Sequence, residues 1–93
     1  MQLKNSFFPA IEDAEITDLT VGDILRIAAK EDPDKVALVE TNMECELGQE
    51  WTYQELLQDS ERLAYNLLNQ FNPGDKIAVW SPNTAEWVIL EFA

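Results

Sequence analysis

Ninety-three residues, 46 % of them apolar and 26 % charged, suit one small folded domain rather than two domains or a disordered chain. Eighteen Asp and Glu against six Lys and Arg leave a net charge of −12, which repels phosphate backbones and anionic lipid, so nucleic acid and membrane surfaces are poor partners. The chain has no His and a lone Cys45, which excludes His-ligated zinc, Ser-His and Cys-His pairs, internal disulfides and multi-Cys metal sites within it.

Residues 1–19 mix apolar and acidic residues without a sustained period and read as an N-terminal arm, with Phe7-Phe8-Pro9 as an apolar anchor. The start, Met1-Gln2-Leu3-Lys4-Asn5, lacks the apolar stretch of a secretory signal, and no apolar run approaches a membrane span. Together with an unpaired Cys, this leads us to expect a cytoplasmic protein. Thr20-Val21-Gly22-Asp23 has the form of a helix start, with Thr20 as N-cap and Asp23 at the positive end of the helix dipole. Val21, Ile24, Leu25 and Ala28 share one helical face, and Asp32-Pro33 ends the helix because a residue before proline is pushed out of helical geometry.

Lys35 to Thr41 is a short Val-rich run between Pro33 and Asn42, which predicts a strand buried on both faces. Residues 42–49 then form a hairpin connection returning through Gln49 to Trp51. Cys45 lies in that turn between Glu44 and Glu46. Acidic flanks disfavour a thiolate, so the residue reads as structural rather than nucleophilic. Thr52-Tyr53-Gln54-Glu55 is a capping box. The helix it opens, expected over residues 53–71 and roughly 28 Å long, carries Leu56, Leu57, Ser60, Leu63, Ala64, Leu67, Leu68 and Phe71 on one face. Core packing accounts for all of these positions.

Asn72-Pro73-Gly74-Asp75 is a turn in which Pro stops the helix and Gly admits positive φ. Lys76-Ile77-Ala78-Val79-Trp80 reads as a second buried strand. Asn83-Thr84-Ala85-Glu86 suggests a last helix with Asn83 as N-cap. That helix, with Trp87, Val88, Ile89, Leu90 and Phe92, is apolar nearly all round and wants burial from several sides. No stop signal follows Phe92, so the helix is expected to continue past Ala93.

Several patterns imitate functional sites. Asp59-Ser60 resembles the modified serine of a carrier protein, but Ser60 falls mid-helix on the apolar face. Asp32-Pro33-Asp34 lacks the spacing and central glycine of a calcium loop. Glu44 and Glu46 are near neighbours as expected by chance among eighteen acids. Gly22, Gly48 and Gly74 are too dispersed to cradle a phosphate.

Taken in order, these pieces resemble the N-terminal end of the adenylate-forming acyl-CoA synthetases, in the fatty-acid and aryl-acid CoA ligase branch. The resemblance is carried by Thr20-Val21-Gly22-Asp23 with Leu25; by Asp32-Pro33-Asp34 leading to Val36-Ala37-Leu38-Val39; and by Trp51-Thr52-Tyr53-Gln54-Glu55-Leu56 with Glu61-Arg62-Leu63-Ala64. It continues through Pro73-Gly74-Asp75-Lys76-Ile77-Ala78-Val79-Trp80 and Pro82-Asn83-Thr84-Ala85-Glu86-Trp87, so it runs from about residue 20 to the final residue. It implies a parent enzyme that joins a fatty or aryl carboxylic acid to CoA through an acyl-adenylate. ATP, magnesium and CoA are the implied cofactors, pyrophosphate and AMP the products, and fatty acid metabolism the setting.

The family's phosphate loop, ribose-binding Asp and catalytic Lys have no counterpart here. Neither Lys30 nor Lys76 stands in the catalytic-lysine context. No catalytic, cofactor-binding or metal-binding residue is therefore assigned, and the chain alone is expected to be inert. Ser81-Pro82-Asn83 lies where open α/β sheets place ligands, but a turn and helix cap explain it.

The expected architecture is α/β. Residues 1–19 form an arm, and residues 20–93 the incomplete N-terminal part of a larger α/β domain, cut in its last helix. The order is helix, strand, hairpin partner, helix, strand, helix, with a right-handed βαβ crossover placing residues 36–40 and 76–80 in one sheet. A severed sheet and an apolar last helix predict self-association. The alternative is a self-standing acidic protein-interaction module, which Phe7-Phe8 and the apolar last helix would serve.

Overall fold

The computed structural model describes residues 6–12 and 14–93. The predicted absence of a secretory signal rests on Met1–Asn5, which lie outside the described residues, as does part of the arm. The elements are helix α1 (Val21–Glu31), strands β1 (Val36–Thr41) and β2 (Leu47–Thr52), helix α2 (Tyr53–Leu68) and helix α3 (Ala85–Phe92). Mixed helix and sheet are compatible with the α/β expectation.

The predicted capping box at Thr52 forms, and the predicted N-cap Thr20 proves to be part of a second box with Asp23. At α1, the Asp23 N–H donates to Thr20 Oγ1 at 3.1 Å, and the Thr20 N–H donates to Asp23 Oδ2 at 3.1 Å. At α2, the Glu55 N–H donates to Thr52 Oγ1 at 3.2 Å and the Thr52 N–H to Glu55 Oε2 at 2.9 Å. The α2 start goes further: the Tyr53 N–H donates to the Lys35 carbonyl at 3.0 Å and the Gln54 N–H to the Pro33 carbonyl at 3.2 Å. The amides of Thr52, Tyr53, Gln54 and Glu55 are thus all satisfied, although a helix start ordinarily leaves such donors to solvent.

The sheet has two antiparallel strands, with Leu38 opposite Trp51, Val39 opposite Glu50, and irregular register on either side of that pair. Its hairpin is tied by Asn42, whose Oδ1 accepts the Glu44 and Glu46 N–H groups, each at 2.9 Å, while its Nδ2 donates to Glu46 Oε2. Cys45 holds a left-handed φ of 60° in that turn. Helix α2 lies across the hairpin and packs against α1 and α3. Leu25, Trp51, Leu56 and Ala85 form the buried cluster, with Ala37, Leu38, Tyr53, Leu57, Val88, Ile89 and Phe92 around it.

The structure corrects several expectations. Residues 76–80 join no strand, so the βαβ crossover does not form, and the observed sheet is antiparallel rather than parallel. A hairpin closes β1 onto β2 through a short loop, whereas pairing β1 with residues 76–80 must close the whole of α2 and its flanks. β1 is half-covered rather than buried on both faces: Val36 and Val39 are exposed, because α2 and α3 lie on one side. Helix α2 ends at Leu68, short of residue 71. No basic residue supports its last turn, and the chain leaves through tighter turns at Asn69 and Gln70. Thr84, not Asn83, caps α3, and it makes no side-chain hydrogen bond. That helix buries Ala85, while Trp87, Val88, Ile89 and Leu90 remain half-covered. The Asn72–Asp75 turn does form, with Gly74 at φ 92° and the Asp75 N–H donating to the Asn72 carbonyl.

The molecule exposes far more surface than its size requires. A compact protein of 10.6 kDa shows about 5,500 Å² and a 93-residue domain has a radius of gyration near 12 Å. Here the values are 8580 Å² and 18.1 Å. Among the described residues, the long exposed stretches are the arm up to Leu19, residues 41–50 and residues 69–83.

Candidate functional site

Two open hollows flank α3. The first, about 300 Å³, lies between the end of β1 and the start of α3, lined by Leu38, Val39, Glu40, Thr41, Asn83, Thr84 and Ala85. It gathers the Asn83 end of the segment that the sequence placed in a ligand position. Thr41 and Asn83 are polar residues at the ends of two apolar runs, and that was the available signal; their meeting across more than forty residues was not legible. Its chemistry is limited. Glu40 sets a negative charge in the wall, which opposes a phosphate or carboxylate ligand. Ser81 Oγ is occupied by the Pro82 carbonyl at 3.0 Å.

The second hollow, about 370 Å³, is mostly apolar and lies between the end of α2, residues 77 and 79, and α3; Leu67, Ile77, Val79, Trp87 and Leu90 line it, with Glu91 at its wall. A third, smaller one opens beside it around Leu68, Phe71, Pro73 and Asp75 and shares Leu67 and Ile77, so the two form one continuous, mostly apolar face with Glu91 and Asp75 on it.

The remaining candidates from the sequence are dispersed. Ser60 is 1 % exposed and its hydroxyl has no hydrogen-bond partner, so it cannot present itself to a modifying enzyme. Cys45 is free and exposed at the far end of the hairpin. Lys30 ends α1, and Lys76 lies beyond the Gly74 turn. Among the described residues, no cluster of His, Cys, Asp or Glu could hold a metal ion, and no helix is long and apolar enough to cross a membrane. The saturated start of α2 has no amide left for an anion. Arg26 reaches Asp23 at 3.3 Å and Glu61 at 3.9 Å, and Arg62 reaches Asp59 at 3.4 Å, all at the surface. Hydrogen bonds from the Thr20 backbone and side chain, then the Arg26 charge, hold the Asp23 carboxyl below its ordinary range. That environment explains a helix cap rather than a reactive group.

Comparison with known proteins supplies what the geometry does not. Residues 25–93 match the family described as AMP-binding enzyme. The chain is 30 % identical over 92 residues to the mitochondrial medium-chain acyl-CoA ligase ACSF2 of Danio rerio, covering 98 % of this chain and 14 % of that protein. It is 28 % identical over 89 residues to the Mus musculus protein of the same name, covering 95 % of this chain and 14 % of that one. It is 36 % identical over 74 residues to triostin synthetase I of Streptomyces triostinicus, covering 78 % of this chain and 13 % of that protein. The chain therefore spans about one seventh of the length of the curated relatives it matches. No solved structure matches it.

Proposed function

The chain belongs to the AMP-binding enzyme family, and from that premise we propose that it is the N-terminal part of an ATP-dependent acyl-CoA synthetase. The carrying observation is the family match over residues 25–93, which contains the ordered motifs from Leu25 to Trp87. The proposed reaction has two halves. A carboxylate displaces pyrophosphate from ATP to give an acyl-adenylate, and the CoA thiol then displaces AMP. ATP, magnesium and CoA belong to the complete enzyme. The relatives' names make medium-chain fatty acids the first substrates to assay.

In this reading residues 21–93 are scaffold. They supply a capped, cross-tied helical layer and no reacting group, and the 93-residue chain alone is inert. Incubating it with ATP, magnesium, CoA and octanoate should release no pyrophosphate above a buffer blank. The polypeptide encoded by the full reading frame should do so in an acid-dependent manner. Turnover by the short chain would sink the scaffold reading, and inactivity of the full-frame product toward fatty and aryl acids would sink the synthetase reading.

A self-standing interaction module is the competing reading, and the exposed surface speaks against it. An excess of roughly 3,000 Å² over a compact protein of this mass is several times the ~800 Å² per partner of an ordinary interface. In isolation the chain is proposed to self-associate. The proposed location is the cytoplasm, supported by the free, exposed Cys45. Imaging of a tagged full-frame product tests it, and mitochondrial signal, as the relatives' names suggest, would overturn it.

A further inference from the structure

We draw no further inference here: the strongest candidate, the mostly apolar surface patch between the end of α2, residues 77 and 79, and α3, is an unpartnered face with Glu91 and Asp75 on it, and nothing in the structure shows what covers it.

Discussion

From Thr20 to Glu61 the chain carries eleven of its eighteen acids, two complete capping boxes, and most of the buried cluster; from Arg62 to Ala85 it carries one acid, and Ala85 is its one buried side chain. The first region is the better tied: each helix start is capped, the Trp51 indole N–H donates to Asp59 Oδ2 at 3.0 Å, and apolar side chains meet across α1, α2 and the hairpin, although Val21, Ile24, Ile27, Met43 and Leu47 stay exposed. The second has the residues of a core but too little to pack against. The difference shows that apolar content alone does not make an interior. The first region closes through its hairpin and through Leu25 meeting Trp51 and Leu56, while the second brings one side chain, Ala85, into that cluster.

The contrast can be broken most forcefully at Leu56, which is 4 % exposed. Leu56→Ala should cost about 2–5 kcal/mol, which for so small a domain means loss of the cooperative urea transition at room temperature. The caps give the next test. Thr52→Ala should cost about 1 kcal/mol in urea unfolding, because it removes the acceptor of the Glu55 amide. Thr84→Ala, at a cap whose hydroxyl bonds nothing, should stay within about 0.5 kcal/mol. Equal losses at the two threonines would erase the distinction between the regions.

Ser60→Ala should stabilise the fold by about 1 kcal/mol. It removes a buried hydroxyl without a partner and improves helix propensity. The smallest effect concerns pH. Asp23 has a carboxyl held below its unfolded value, so its contribution to the α1 start is present above the ordinary carboxylate range and is lost as pH falls through the folded value. The protection factors of the first-turn amides of α1, taken relative to their intrinsic exchange at each pH, should therefore fall on acidification below about pH 4, whereas Asp23→Asn should show the lowered protection at neutral pH.

Legibility in the sequence followed the same division. Thr20 with Asp23 and Thr52 with Glu55 could be read directly, because a cap is a contact three residues long. The hairpin from residue 42 to Trp51 and the Asn72–Asp75 turn were equally local. What failed was residues 76–80 as a strand: their side chains suit a sheet, but a strand is a relation to a neighbour, and pattern does not say whether one is present. The half-exposure of α3 failed for that reason too. The hollow between Thr41 and Asn83 was invisible because it depends on how α3 meets β1. The family resemblance came through intact, since it depends on the order of short motifs rather than on their packing.

The two hydrogen bonds from Tyr53 and Gln54 to the carbonyls of Lys35 and Pro33 have a kinetic side. A helix's first turn is ordinarily where it frays, opening independently of everything else. Here that turn cannot open without releasing the strand entry after α1, and the hairpin cannot lift without unmaking the turn. Pro33 to Glu55 should therefore open and close as one cooperative unit. Pulse-labelling should show the amides of Tyr53 and Gln54 protected together with those of the hairpin, ahead of the rest of α2, so that this short stretch is the seed from which the chain folds.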